Sequence, residues 1–430
     1  MSIGFKRAFY FVTKKGNLYP NCNYYMKNNM FVEIRSSYKW VVLAISFALM
    51  LVFAISLQSL PPIFDKIQKD ISFSNSQAGM LMGAYAIPGI FIPFLIALLA
   101  NRFNKKTIIH IALLIMIVGL VAFSMAGSFP TLLTYRLITG IGATALVVLA
   151  PLLVTMFFDK TNMGVAMGIF NTAVPFGTVI AASLFGILGE KIYWRYIILG
   201  IALFAIVVLV INFFKLSLPK EEESKINNEV SQKTSAPLLS NINLWILVLI
   251  WALGNSQLLA YVTFVPQHFQ KIGMSMQEAG FLTSFIMLVP ILLGPVVGII
   301  IDKTGWKKRL LLAGSIIMAI SFILISRGTI GLPIWALTLG IGFTPIPIFV
   351  FSLLPELIQP RQMVMGLGIL TAASNLGIAI GPSAFGLLLD KTGGDFNLGF
   401  IILASISLVI ILALSGLKQA KVNSISRENR

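Results

Sequence analysis

Arg136 lies inside a long apolar stretch, a few residues after that stretch begins. An arginine at the centre of a membrane costs roughly 2.5 to 3.5 kcal/mol on insertion scales, so its side chain needs a partner. All 15 acidic residues fall in tails, loops or the ends of such stretches. Because a planar guanidinium can hold a small anion by two parallel hydrogen bonds, we predict that the substrate supplies the missing negative charge. The alternative is that Arg136 binds carbonyl groups of a kinked helix or lines a wet cavity.

Other polar residues at mid-stretch depth are candidates to complete a substrate site. They are Tyr85, Asn171, Asn255, Gln257, Tyr261, Thr344 and Asn375, with the densest cluster in "GNSQLLAY", from Gly254. For each one, a hydrogen bond between helices is the alternative role, because such bonds are common in membrane bundles. Substrate binding through a cluster of this kind needs no cofactor.

The chain carries no sequence signature of catalysis, of a metal site or of ATP binding. It has 2 His and 1 Cys, which cannot make the usual zinc spacings, and we predict neither a metal nor a cofactor. The motifs H-E-x-x-H and G-x-S-x-G are absent, so the sequence does not predict an enzyme. The loop G-x-x-x-x-G-K-[ST] is absent too, so a solute or ion gradient, with a proton or a counter-anion as coupling partner, must supply the energy.

The elements that position these residues are predicted to be membrane helices. Apolar residues make up 57% of the 430, and the mean hydropathy is +0.91, well above the range of water-soluble proteins. Twelve stretches reach the roughly 20 residues needed to cross a bilayer. They begin near Tyr38, Gln77, Thr107, Thr131, Met163, Arg195, Asn243, Glu278, Arg309, Gly331, Met363 and Phe396. The sequence therefore predicts an all-α integral membrane protein with twelve transmembrane helices.

The two halves of the chain repeat each other. The stretch "SQAGMLMGAYAIPG" from Ser76 matches "QEAGFLTSFIMLVP" from Gln277, and "AASLFGILGEK" from Ala181 matches "GPSAFGLLLDK" from Gly381. We predict two pseudo-symmetric six-helix halves, related by an axis along the membrane normal, with a binding site between them. The predicted segments are an N-terminal extension without regular structure (1–37), a first half (38–215), a linker (216–242), a second half (243–416) and a tail (417–430).

The basic residues predict the orientation in the membrane. Of the 32 Lys and Arg, 24 fall in the two tails, the linker and the loops on that side, and 7 fall in the opposite loops. This bias places both termini in the cytoplasm, and we expect a monomer in the plasma membrane, surrounded by lipid. The same placement explains the net charge of +17 without a nucleic-acid partner.

Several short motifs resemble those of the major facilitator superfamily. The stretch "GIIIDKTGWKKR" is similar to the family's loop pattern G-x-x-x-D-[RK]-x-G-[RK]-[RK], and "ALLANRFNKK" is a weaker copy of it in the first half. Arg136 with Gly140 and Gly142 resembles R-x-x-x-G-x-G, and "YWRYIIL" resembles the W-R pair that opens the sixth helix. The residues that match or replace the loop pattern are Asn101, Arg102, Lys106, Gly298, Asp302, Lys303, Gly305 and Lys307.

The resemblance implies a secondary transporter that works by alternating access. It also implies a latch, in which Gly298 allows close helix approach and Asp302 meets the helix start near Met163. Asn101 replaces the acid in the first half, so the matching latch near Met363 is expected to be weaker. The cargo is expected to be a small organic or inorganic anion, as in the cyanate-permease branch. The alternative is export of neutral or hydrophobic compounds by the same fold.

Overall fold

The structure is a computed structural model that describes residues 22–158, 162–218, 240–328, 331–359 and 362–417. Within these ranges it is all-helical, and twelve helices are long and apolar enough to cross a membrane, as the sequence predicts. We number them by crossing. They are α1 (Cys22–Gln58), α2 (Asn75–Ala86 and Pro88–Arg102), α3 (Lys105–Ser124), α4 (Phe129–Phe157), α5 (Met163–Asn171 and Ala173–Lys191), α6 (Trp194–Lys215), α7 (Ile242–Lys271), α8 (Met276–Thr304), α9 (Lys307–Ser326), α10 (Leu332–Phe343 and Pro345–Leu357), α11 (Met363–Lys391) and α12 (Phe396–Ser415).

Helix α1 starts earlier than the sequence predicts. It begins at Cys22, so residues 22–37 are helical, whereas the part apolar enough to cross a membrane begins at Tyr38, as predicted. Residues 1–21, 219–239 of the predicted linker and 418–430 of the tail lie outside the described residues. We call the side on which α1 begins and α12 ends the terminal side, and the side on which α1 ends the distal side.

Proline explains where several helices break. Helix α2 is interrupted before Pro88 and α10 before Pro345, because proline suits the first turn of a helix but not its interior. Helix α5 breaks at Thr172, three residues before Pro175. Helix α11 contains Pro382 yet remains continuous.

The helix starts on the distal side repeat between the halves. Ser74 caps α2 and Ser275 caps α8, each through a reciprocal capping box. The third helical residue of the box is Gln77 in α2 and Glu278 in α8. The same device at matching positions is structural evidence for the predicted repeat.

The halves meet along α2 with α11 and along α5 with α8, and the closest contacts lie near the distal side. A Cβ atom on Gly79 would lie 2.2 Å from the carbonyl oxygen of Pro382, and one on Gly280 would lie 2.3 Å from that of Ala182. These two contacts are equivalent under the repeat. Small residues therefore let the paired helices touch through their backbones, and they seal the distal side.

Towards the terminal side the halves separate between α5 and α8. A Cβ atom on Gly168, Gly294 or Gly298 would meet no atom within 4 Å. The first segment of α5 makes no extensive contact with α8, and α1 and α4 do not pack closely on α7 or α10 across the cleft. The described helices thus leave a cleft between the halves that is closed distally and opens towards the terminal side between α5 and α8, while α2 and α11 stay in contact there, at Phe94 and Gly368.

Candidate functional site

Arg136 is buried on α4 and is bonded to backbone carbonyls. Only 2% of the residue is exposed. Its Nη1 donates to the Ser56 carbonyl at 2.9 Å, its Nη2 to the Leu57 carbonyl at 2.8 Å and its Nε to the Leu81 carbonyl at 3.3 Å. Each guanidinium nitrogen therefore has a protein partner.

The sequence after α1 explains why the Leu57 carbonyl lacks a helical donor. In a continuous helix the Leu57 carbonyl would accept from the amide of residue 61, but Pro61 has no N–H. Helix α1 ends at Gln58, and a 3₁₀ turn, Pro61–Ile63, follows it. Arg136 replaces the donors that the helix loses at this end.

The ring of Tyr85 covers the guanidinium. The ring centroid lies 4.5 Å from Cζ of Arg136, within the range of a cation–π interaction. The Tyr85 hydroxyl donates to the Phe53 carbonyl at 3.0 Å, so the tyrosine ties α2 to α1. Both predicted site residues are therefore sealed inside the first half in this conformation. The expectation that Arg136 faces the cleft is not met here, because carbonyls occupy its donors.

Two of the α7 candidates pack inside the second half. Gln257 is fully buried, and its Nε2 donates to the Leu403 carbonyl at 2.6 Å and to Oγ of Ser407 at 2.7 Å. Tyr261 is also fully buried, with its ring centroid 6.0 Å from that of Phe322. Both side chains contact neighbouring helices of the second half in this conformation, so the structure gives no support to their predicted contact with solute.

The remaining polar candidates lie at helix contacts or beside the cleft. Asn255 is buried and donates to the Trp251 carbonyl one turn earlier at 2.8 Å, and Thr344 donates to the Gly340 carbonyl at 2.8 Å. Asn375 of α11 is half-buried, and its Nδ2 lies 3.3 Å from the Gly89 carbonyl of α2 in the other half.

Asn171 differs from the other candidates because it is exposed. It ends the first segment of α5, at the break before Thr172, and this segment makes no extensive contact with α8. Its side chain forms no hydrogen bond with the described residues, so it is available to a solute. Asn375 lies on α11, the equivalent helix of the other half, but its Nδ2 also donates to the Thr371 carbonyl at 2.9 Å, so its amide is already bonded.

Four aromatic residues on helices beside the cleft were not predicted as site residues from the sequence. Trp251 of α7 and Phe351 of α10 meet edge to face at 5.4 Å, and Phe351 is 48% exposed. Phe47 and Phe176 form a similar pair between α1 and α5 at 6.4 Å. In a chain with 32 Phe, such residues carry no signal in the sequence that separates them from packing residues.

The lysines of the two motif loops form hydrogen bonds with residues of their own halves. Nζ of Lys106 donates to the Phe213 carbonyl at 2.8 Å, and Lys307 donates to the Ser352 carbonyl at 3.1 Å and pairs with Glu356. Gly305 ends α8 with φ at +68°, and Lys303 is exposed.

The predicted latch contacts are only partly described. Gly298 faces open space, so it mediates no close helix approach in this conformation. The side chains of Asn101, Arg102 and Asp302 lie outside the described part of the structure. Among the described residues no group of His, Cys, Asp and Glu could hold a metal ion.

Comparisons with known proteins agree on one family. The profile described as Major Facilitator Superfamily matches residues 44–367 and 270–428. The chain is similar to a nitrite extrusion protein of Bacillus subtilis, with 22% identity over 80% of this chain and 86% of the relative. It is similar to a hexuronate transporter of the same organism, with 21% identity over 81% and 87%. A lysosomal dipeptide transporter of Homo sapiens shares 21% identity over 85% and 83%.

Solved structures show the same fold. A nucleoside transporter superposes with a TM-score of 0.73 at 15% identity, covering 87% of this chain and 99% of that one. A D-xylose-proton symporter also reaches 0.73, at 17% identity, covering 89% and 98%. The arrangement of twelve helices in two halves is thus that of known transporters.

Proposed function

Since the chain belongs to the Major Facilitator Superfamily of membrane transporters, we propose that it carries a small organic or inorganic anion by alternating access. The cleft between the halves is the solute path. The sealed distal side and the open terminal side correspond to one of the two end states of such a cycle.

The buried charge of Arg136 is the observation on which this proposal rests. Within the described residues Arg136 forms no ion pair, and its three partners are neutral carbonyl groups. Carbonyl dipoles stabilise the guanidinium but leave its unit charge uncompensated. At an effective dielectric constant of 20, such a charge still contributes about 2 kcal/mol to an anion 10 Å away. An anion in the cleft is favoured by that field, and a cation is disfavoured.

Arg136 therefore acts on the solute through its field, without direct contact in this conformation. The group proposed to contact the anion in this conformation is the exposed amide of Asn171. The amides of Asn375 and Asn255, beside the Trp251 and Phe351 rings, are proposed to join it when their present bonds to backbone carbonyls break. An amide N–H donates to an anion without adding a charge that the membrane penalises.

Two relatives are named for substrates of this class. Nitrite and hexuronate are anions, and the proteins named for them match most of this chain. The dipeptide transporter matches equally well, so the relatives support transport of small polar solutes and leave the choice of anion to experiment.

We propose that the terminal side is cytoplasmic and that the protein lies in the plasma membrane. The distribution of Lys and Arg supports this orientation through the positive-inside rule. The cleft then opens to the cytoplasm in this conformation. A proton gradient or exchange for a counter-anion is proposed as the energy source.

Uptake into proteoliposomes tests the proposal. The purified protein is reconstituted and offered radiolabelled nitrite, nitrate, glucuronate and a neutral hydrophobic dye, with and without a pH gradient. We expect accumulation of at least one anion and none of the dye, with Arg136→Lys retaining part of the activity because it keeps the charge. Dye transport without anion transport would support the alternative, an exporter of neutral or hydrophobic compounds, and would contradict the proposal.

A further inference from the structure

Asp390, at the distal end of α11, binds the start of α2 in the other half. Its Oδ1 accepts from the Asn75 amide at 2.9 Å, and its Oδ2 accepts from the Ser76 amide at 2.7 Å. These are the first two amides of α2, which have no partner inside the helix. One carboxylate thus takes two free donors across the boundary between the halves.

Helix α2 lacks an acidic residue of its own in its first turn. Its capping box uses Ser74 and Gln77, both neutral. In the second half the equivalent box of α8 uses Glu278, so that helix carries a negative charge at its own start. A negative charge near a helix start is stabilising because the helix dipole is positive there. Helix α2 obtains this charge only when α11 lies against it.

The equivalent residue of the first half makes no such contact. Glu190 occupies the position of Asp390 at the distal end of α5, and it is exposed. No hydrogen bond joins Glu190 to the start of α8 among the described residues. The helices also approach less closely there. A Cβ atom on Gly186 would lie 3.2 Å from the Met276 carbonyl oxygen, whereas one on Gly386 would lie 2.1 Å from that of Asn75.

A cavity of about 390 Å³ adjoins this contact on the distal side. Its lining includes Asn75 and also Asp65 and Gln267, whose side chains join the halves at 3.3 Å. Polar contacts beside such a space can exchange with water when the halves part, so breaking them does not leave buried groups unsatisfied.

We infer that Asp390 is a latch that holds the distal side closed by binding the start of α2, and that, of the two equivalent helix pairs α2–α11 and α5–α8, only α2–α11 is joined by a carboxylate among the described residues. This rests on the alternating access proposed above, because the latch must open whenever the cleft faces the distal side. The α5–α8 side closes through small-residue packing alone.

Distances between two spin labels on the distal side measure how often that side is open when no solute is present. Labels are placed on Ser72→Cys and Arg327→Cys, which are exposed distal positions in different halves, in the full chain with Cys22→Ser. Asp390→Asn keeps the side-chain shape but loses the charge. We expect it to raise the fraction of long distal distances about three- to tenfold relative to the parent protein.

Glu190→Gln is the matched control, because it makes the same change at the equivalent position. We expect its distance distribution to equal that of the parent. Asp390→Glu, which keeps the charge, should lie closer to the parent than Asp390→Asn. If Asp390→Asn leaves the distribution unchanged, or if Glu190→Gln shifts it equally, the latch is wrong. Because no solute is present, a failure of the anion proposal does not affect this result.

Discussion

Nη2 of Arg136 lies 2.8 Å from the carbonyl oxygen of Leu57, a carbonyl that loses its helical donor because Pro61 stands four residues later. The arginine is therefore both a structural bond at the end of α1 and a buried positive charge. These two roles predict different effects of mutation, and they can be separated.

Removing the side chain of Arg136 should destabilise the protein. Arg136→Met removes three hydrogen bonds to buried carbonyls, each worth about 1 kcal/mol, and leaves the Leu57 carbonyl without a donor, whereas the Ser56 carbonyl still accepts from Oγ of Ser59. We expect a loss of about 3 kcal/mol in the free energy of unfolding, with Arg136→Lys losing less. Thermal unfolding in detergent measures this loss, with Arg327→Met, at an exposed position, as the control. An unchanged melting temperature for Arg136→Met would contradict the bonding described here.

The distal glycines should limit transport more than the terminal ones. Gly79→Ala places a methyl group 2.2 Å from the Pro382 carbonyl oxygen, so α2 and α11 must move apart. We expect the uptake rate to fall at least about tenfold, because the added methyl group keeps the distal side from closing and transport needs that closed conformation. Gly294→Ala meets no atom within 4 Å and serves as the control. Equal rates for the two variants would argue against a distal seal at Gly79.

Asn171 and Gln257 should give opposite results. Asn171 is exposed beside the cleft, so Asn171→Ala should raise KM for the transported anion and leave the melting temperature unchanged. Gln257 bonds α12, so Gln257→Ala should lower the melting temperature by several degrees and leave KM unchanged. Uptake kinetics and thermal unfolding on the same preparations check both. If instead Gln257→Ala raised KM and Asn171→Ala lowered the melting temperature, Gln257 would be the residue that contacts the solute.

Gly305 should resist substitution because of its backbone conformation. Its φ of +68° is in the left-handed region, and its amide donates to the Ile301 carbonyl at the end of α8. We expect Gly305→Ala to destabilise the protein by about 1 kcal/mol and Gly305→Asn by less, since Asn tolerates this conformation better. Chemical unfolding of the two variants measures the difference. If Asn is the worse of the two, the packing around this turn matters more than its φ.

The number of helices and the repeat could be predicted from the sequence because both depend on patterns that extend over many residues. Twenty-residue apolar stretches and matching segments such as those from Ser76 and Gln277 need no tertiary information. The start of α1 was missed because "NYYMKNN" contains polar residues that interrupt the apolar pattern but do not prevent a helix.

The candidate site was harder to predict because membrane helices are apolar on all sides. Their sequence does not show which face of a helix meets the cleft. Asn171 and Gln257 are therefore equally good candidates in the sequence, although only Asn171 is exposed in the structure. The partners of Arg136 are backbone carbonyls, which no side-chain pattern marks. The signal that could have found them is the pair Pro61 and Pro62 directly after a helix end, since prolines remove the donors that the last turn needs.

Ser56→Asp tests most directly whether the uncompensated charge of Arg136 selects anions. The Ser56 carbonyl accepts from Arg136, and the Ser56 hydroxyl is buried with no hydrogen-bond partner among the described residues, so an aspartate there would place a negative charge beside the guanidinium. Ser56→Asn has the same shape without the charge. We predict that initial anion uptake, per amount of folded protein in liposomes, falls at least about tenfold in Ser56→Asp relative to Ser56→Asn. Equal uptake by the two variants would contradict the role given to this charge.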